Sequence, residues 1–562
     1  MVIALVNWSF VLIVCILCGL LICKLLGAAF GRYKYSPDEI IMAGLMLCTV
    51  YAETFSLFYK IGVLCTIGLI LICAVSTVVC RKDLAKLMDN IICIKTKRLQ
   101  LSLGLAMGLL ILIAATIDVR HPDTYLYHAQ SIEWNELFGA VKGLGNLDNH
   151  FAYNSAFFCL QALFSWRGIA GVSLHLMNGF LCMFAVFYAF CSMKYKGGKK
   201  FYASDLVRFI FPLYIIVSIE SVSSPGSDLS AMIVLLYIVT KWFEYVEEKE
   251  SDLTDETVAH TAFLGIISVF SVSLKLSVIP LILLCLYPLF RFVKGREWRK
   301  LLLMILLGSI VVVPYLVRNV IISGYLVYPF PELDIFSVDW KMNYADVEMD
   351  KLFNLVWGRA INLAEDGEFD WPLHKWIVIW WKVQETEEKW IWLLDIVMLF
   401  ADLIIILREV LQKRFNARLF LLIVNALLWL YWMLSAPLIR YGYVFLFLLP
   451  AGTLLYSENG EKMAYAIIQG VYIVAIASNL MVSFNTYNYN LLWPEDYKRN
   501  PAETCSITST DGTEYTLYYP KENAHMLDYP AYDAFPKIPG AEDLKHLEMR
   551  GPDLSYGFRY VE

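Results

Sequence analysis

The chain has 562 residues, of which 59% are hydrophobic and only 17% charged, with a mean hydropathy of +0.57. That composition exceeds what a soluble globular domain carries and marks an all-α polytopic membrane protein. A net charge of -6 with no long Lys/Arg run argues against nucleic acid as a partner, because phosphate binding needs a basic face.

Roughly fourteen apolar stretches are long enough to cross about 30 Å of hydrocarbon. They fall at 8–30, 39–58, 61–80, 99–117, 170–193, 203–219, 228–246, 257–273, 278–293, 301–317, 389–407, 419–435, 442–457 and 463–483. The first has no Lys or Arg before Lys24, so it lacks the basic leader of a signal peptide and is expected to stay as an anchor. Ten of the thirteen cysteines lie in or at the ends of these stretches and Cys159 in the further apolar stretch 153–166, leaving Cys93 and Cys505 outside and no disulfide framework.

Cytoplasmic loops retain Lys and Arg. Arg81, Lys82, Lys86, Lys95, Lys97 and Arg98 mark one such loop; Lys194, Lys196, Lys199 and Lys200 a second; Arg291 to Lys300 a third; Arg408 to Arg418 a fourth. The parity closes with both termini outside, provided that 153–166 does not cross. Ala156 to Trp166 then reads as a helix in or against the membrane surface. The chain divides into a helical membrane domain, 1–483, with outer loops 118–168 and 318–388, and a small extracytoplasmic α/β cap, 484–562. Asp511 and Gly512 sit where alternating residues call for a tight hairpin in that cap.

The first outer loop is the densest polar segment. Asp118 closes its membrane helix, and Pro122, Asp123 and Thr124 signal a further helix over 124–138, with Asp123, Tyr127 and Ser131 on one ridge. Paired carboxylates suit general base work: one takes the proton of an attacking hydroxyl while the other orients it or holds a cation. Asp123 is equally a helix cap, and Asp118 a marker of the water boundary. His121 and His128 lie in the same segment. Further on, Lys142, Gly143, Leu144, Gly145 and Asn146 form either a plain turn or an anion nest.

Elsewhere at the outer level, Asp228 opens a helix that it could cap or whose positive end could meet a phosphate. Lys275, Arg318 and Arg440 are cations at outer helix ends, placed either for a lipid phosphate or for ordinary snorkelling. Eight of the sixteen tryptophans fall in 340–392, including Trp371, Trp376, Trp380, Trp381, Trp390 and Trp392, as an aromatic belt or as platforms for sugar rings. No zinc-type Cys/His spacing occurs on an exposed loop; a divalent cation is left open as a cofactor, without a ligand motif.

The many helices, the acidic first outer loop and the stretch with Arg318, Asn319, Gly324, Tyr328, Pro329 and Phe330 resemble the GT-C superfamily of membrane glycosyltransferases. The segments DVRHPDTYLYHAQSIEW, GLGNLDNHFAYNS, SSPGSDL, LKLS and MRGPDLSYGF look more closely like an uncharacterised family of bacterial multi-pass membrane proteins. The GT-C resemblance implies transfer of a sugar from a polyprenyl-phosphate donor to a cell-envelope glycan or lipid. Asp118 or Asp123 would be the base; His121, His128, Asp228, Lys275, Arg318 and Arg440 would bind substrate. Three helices precede the one entering the acidic loop, which departs from the pattern of many members. Membrane lipid, the lipid-linked sugar and its acceptor are the implied partners, and a bacterial inner membrane the implied site. The alternatives are a lipid-linked polysaccharide polymerase or ligase, and a transporter or flippase. Transport is disfavoured because deep charges are few, chiefly Glu53, Asp395 and Asp402.

Overall fold

The computed structural model describes residues 1–92, 98–194, 202–249, 255–359, 371–456 and 490–561, and these are mostly helical. The helices are α1 (Val2–Phe30), α2 (Pro37–Ser56), α3 (Val63–Val79), α4 (Arg81–Ile92), α5 (Arg98–Ala114), α6 (Ala129–Leu137), α7 (Ala156–Phe164), α8 (Arg167–Ala170), α9 (Met177–Cys191) and α10 (Ala203–Val217). They continue as α11 (Ser227–Lys249), α12 (Asp255–Leu274), α13 (Leu286–Lys294), α14 (Trp298–Ser323), α15 (Tyr344–Gly358), α16 (Leu373–Val383), α17 (Thr386–Leu411), α18 (Ala417–Ser435) and α19 (Ile439–Leu454).

Thirteen of the fourteen apolar stretches coincide with helical segments; the stretch at 463–483 lies outside the described residues. Among the described residues, eight helical segments are long and apolar enough to cross a membrane, and α3 joined to the start of α4 adds a ninth only if that pair, bent by 84°, counts as one span. The protein is a multi-pass membrane protein. Near-complete burial puts α11 and α12 at the centre, with 94% of each apolar window covered, whereas α14 and α17 form the rim at 22% and 17%.

Local chemistry fixes the first two helices. Ser36 and Glu39 make a capping box that starts α2, and the Ser36 amide donates to Glu39 Oε2 at 2.8 Å. Gly19 and Gly44 let α1 and α2 touch backbone to backbone: a Cβ on either would lie 1.8 Å from a carbonyl oxygen of the other helix.

At the end of the bundle where α2 begins and α11 finishes, a buried ionic network joins four helices. Lys241 lies 3.2 Å from Asp38, 3.2 Å from Glu39 and 2.9 Å from Glu244, while Arg208 pairs with Asp205 at 2.5 Å and with Glu244. His260 Nε2 lies 2.9 Å from Glu39, and Tyr188 and Tyr237 donate to Glu244 and Asp38. The sequence places deep charge chiefly at Glu53, Asp395 and Asp402. Those three are buried, and the network adds buried charge at the helix ends, where acids and bases from separate stretches offset one another once the helices meet.

The first polar loop packs on the opposite end, called here the cap end: Ala140 N–H donates to Ser56, Gly143 N–H to Ile321 and the Ser155 hydroxyl to Leu274, at the ends of α2, α14 and α12. Helix α7 differs from the surface helix expected over Ala156 to Trp166. All of its residues are buried, and Asn7 of α1 donates to its last carbonyl, so it runs inside the bundle. Trp376, Trp380 and Trp392 are likewise packing groups: Trp392 stacks on Trp432 at 4.9 Å and meets Trp380 edge-on at 4.6 Å.

The C-terminal region holds two small antiparallel sheets, β1 (Ala502–Thr508) with β2 (Glu514–Pro520) and β3 (Leu547–Met549) with β4 (Phe558–Tyr560). Gly512, at φ 87°, makes the expected hairpin turn. Ile507, Leu517, Ile538, Met549 and Phe558 share one apolar core with Trp134, Leu144, Phe151, Tyr325 and Met342 of the two outer loops. The cap is thus fused to both loops. Arg550 adds a two-pronged ion pair to Asp339, and Gly557 presses on the Lys142 carbonyl, where a Cβ would come within 1.9 Å.

Candidate functional site

The helix expected over 124–138 is broken by a π turn at Thr124–His128, in which the Ala129 amide donates to the Thr124 carbonyl five residues back. A π turn rotates the following residues relative to an α-helix and is often found at functional sites. It dissolves the expected ridge of Asp123, Tyr127 and Ser131 and leaves carbonyls of its own turn to be satisfied. The cap satisfies them: buried Lys537 donates to Leu126 and, at 3.3 Å, to Tyr125. Gln130 donates to Ala531 and Ala534 and accepts from the Lys537 amide. Burial pulls the Lys537 pKa down to about 8, with Asp148 pulling the other way.

The turn points His128 into the protein. Its ring lies against Phe158 at 5.6 Å and over Gly226, where a Cβ would be 2.7 Å from Cε1. Gly226 is held there because Asn178 donates to the Ser224 and Gly226 carbonyls, and Ser224 bonds the Thr124 hydroxyl at 2.8 Å. His128 Nδ1 has no hydrogen-bond partner among the described residues. Burial first, then the charges of His121, Lys275 and His150, hold His128 well below the ordinary imidazole range, so it is neutral.

Of the residues singled out in the sequence, His121, Asp123, His128, Lys275 and Asp228 come together. His121 Nδ1 lies 4.0 Å from Asp123, whose carboxylate makes no capping bond. Lys275 is paired with Asp228, and both remain partly exposed. Asp118 lies four residues past the end of α5 rather than in its last turn; it pairs with Arg120 at 3.4 Å and acts electrostatically on Tyr125.

Arg318 takes a different place. It is buried one layer below, donating to Ser56 and, at 3.1 Å, to Asn154, with its charge acting on Glu53. The Glu53 carboxylate has no hydrogen-bond partner among the described residues, so Arg318 serves as its counter-charge rather than as a surface cation. A small cleft lined by Ser131, Trp134, Tyr153, Asn154, Phe158 and Arg318 separates the two layers. Arg440 starts α19, and its side chain lies outside the described residues. The Lys142–Asn146 segment is a turn, its Gly143 amide already donating to Ile321, which removes the anion nest.

Sequence reasoning missed a second cluster. His150 Nδ1 lies 2.8 Å from buried Asp148, which also accepts the His150 amide at 2.9 Å. Asp350, from α15, accepts from Asn149 at 3.1 Å, from Tyr328 at 2.8 Å and from Tyr153. Rings at His121, His128, Tyr127 and His150 follow one another with centroid separations of 5.8, 4.4 and 5.6 Å. They form a row with an imidazole–carboxylate pair at each end. Burial acts against the Asp148 carboxylate, but His150 overrides it and lowers its pKa; burial also opposes the His150 cation, and Asp148 with Asp350 overrides that and raises it. Asp350 is raised by burial. The spacing of Asp148 and His150 could have flagged the pair, whereas nothing near Asp350 announces its partners.

A third cluster fastens the cap. Arg167 reaches Glu133 and Glu136 at 3.1 Å each and the Tyr532 hydroxyl at 2.6 Å, and Ser173 donates to Glu136. Burial drives the Glu133 pKa up to about 8 against the pull of Arg167. His175, bonded to Tyr497, is lowered by burial to about 4. Among the described residues no group of three His, Cys, Asp or Glu side chains is placed to hold a metal ion.

A protein-family model described as Domain of unknown function (DUF8201) matches residues 1–447. The chain belongs to this family. No curated protein and no solved structure matches it. The DUF8201 match spans the eight helical segments long enough to cross a membrane, the row of rings, Lys275 and Asp350, while Lys537, Arg550 and Tyr532 lie beyond it. The cap thus completes the DUF8201 segment with groups from outside the match.

Proposed function

We propose that the protein is a membrane glycosyltransferase of GT-C type, with about fourteen crossings, that moves a sugar from a polyprenyl-phosphate donor to a cell-envelope glycan or lipid. One observation carries this reading: acidic, basic and imidazole groups from four separate stretches meet at the end of the helices that the cap covers. In the reaction an acceptor oxygen attacks the anomeric carbon, and the bond from that carbon to the phosphate oxygen breaks. Lys275, held in place by Asp228, supplies positive charge to the departing phosphate, and both it and His121 act electrostatically on His128. The resemblance assigns the base to Asp118 or Asp123. Basic loops such as the one starting at Arg81 fall at the far end of the helices, which supports reading the site as facing outward, and the membrane we propose is a bacterial inner membrane.

The test is an assay of purified protein with a panel of polyprenyl-phosphate sugars and one lipid-linked oligosaccharide, alongside Lys275→Met. Turnover of a monosaccharide donor, weakened at least tenfold in the variant, is the expected result. Turnover of the oligosaccharide alone identifies a polymerase or ligase. Wild-type protein that binds and turns over nothing in the panel removes the proposal.

A further inference from the structure

Resting on that reading, we infer that the proton of the acceptor hydroxyl is taken by Nε2 of His150, with Asp148 as its positioning residue, and not by Asp118 or Asp123. Each of those two carboxylates already faces a base, Asp118 facing Arg120 and Asp123 facing His121. His150 is built differently. Its Nδ1 faces a carboxylate that is almost wholly buried and that also holds the His150 amide, so the ring is fixed in position and tautomer with Nδ1–H donating. Nε2 is then the nitrogen free to accept a proton.

The ring stacks on Tyr127 at 5.6 Å yet keeps 32% of its side-chain surface open, whereas the Asp148 carboxylate behind it is closed off. A buried acid orienting a partly open imidazole is the arrangement expected of a general base. The charged and titratable groups facing it are Asp148 on its own loop, Asp350 on α15, Lys537 from the cap and His128 from the π turn. The two carboxylates favour the imidazolium that forms on proton uptake, while Lys537 opposes it. In balance, the acceptor O–H bond breaks and its proton goes to Nε2. The acceptor oxygen bonds to the anomeric carbon, and the electron pair of the broken carbon–oxygen bond leaves with polyprenyl phosphate. The imidazolium afterwards returns its proton to water.

The experiment compares pH–rate profiles of the full-length protein with His150→Gln, Asp148→Asn, Asp118→Asn and Asp123→Asn, and measures binding of undecaprenyl phosphate to each. His150→Gln should lose at least a hundredfold in kcat with lipid affinity within threefold of wild type. Removing the negative charge at Asp148 lowers the pKa of His150, so the acid limb of Asp148→Asn should move to lower pH; the two other variants should keep that limb. Activity of His150→Gln within threefold of wild type, or an acid limb unmoved in Asp148→Asn, overturns the inference and leaves the transferase reading standing. Wild-type protein inert toward every donor overturns both.

Discussion

Replacing Glu133 with glutamine should stabilise the protein, although it removes one charge from an ion pair. Glu133 and Glu136 compete for the same guanidinium nitrogen of Arg167, each at 3.1 Å, in a setting where Glu133 is almost fully buried. Its pKa of about 8, against 4.5 in an exposed chain, means that folding takes up a proton between those two values. Stability from this group is therefore undiminished below pH 4.5 and declines as the pH rises toward 8. With about 1.4 kcal/mol per pKa unit, the cost reaches about 3 kcal/mol at pH 7. Glutamine mimics the protonated acid, still offers Arg167 an oxygen, and carries no such cost. Thermal unfolding in detergent between pH 5 and 8.5 checks this. The variant and wild type should melt together at pH 5 and diverge with rising pH, the variant being the more stable. A gap that does not change with pH, or a variant less stable at pH 8, refutes the reasoning.

Two further outcomes follow from the packing around the π turn. Lys537→Met removes a charged donor from the Tyr125 and Leu126 carbonyls, a loss of about 1.5–3 kcal/mol. Amides in 124–130 and 531–538 should then exchange with solvent at least tenfold faster by mass spectrometry, and unchanged exchange would show that the cap docks without this lysine. Gly226→Ala puts a methyl group 2.7 Å from His128 Cε1 and should lower stability by about 1–3 kcal/mol in the same melting assay; an unaltered melt would mean that the ring can retreat freely.

The helices were legible because an apolar run of about twenty residues has few other uses, and the hairpin at Gly512 because its turn chemistry is local. The convergence of His121, Asp123 and His128 was also within reach, since they share one short segment. The π turn was not: inserting one residue's worth of rotation leaves the same apolar residues in the same order. Arg318 was misplaced because its partners, Ser56 and the charge at Glu53, lie more than 260 positions away in sequence. Asp350 escaped for the same reason, its partners Asn149 and Tyr153 belonging to the first loop. The lysine that secures the π turn sits in a cap with no apolar periodicity to connect it to that turn.

The salt-bridged knot of Asp38, Glu39, Asp205, Arg208, Lys241 and Glu244 bears on how the molecule is made. During synthesis α2 enters the bilayer long before its counter-ions on α11 exist, and α10 emerges with an arginine whose acid Glu244 is still to come. Arg208 and Lys241 each have an acid on their own helix, Asp205 and Glu244, whereas Asp38 and Glu39 have no cation on α2, and an unpaired charge facing lipid costs a few kcal/mol. Neutralisation of Asp38 and Glu39 therefore waits for the chain to reach Lys241, about two hundred residues later, so the start of α2 is the last part of this three-helix knot to find its counter-charge.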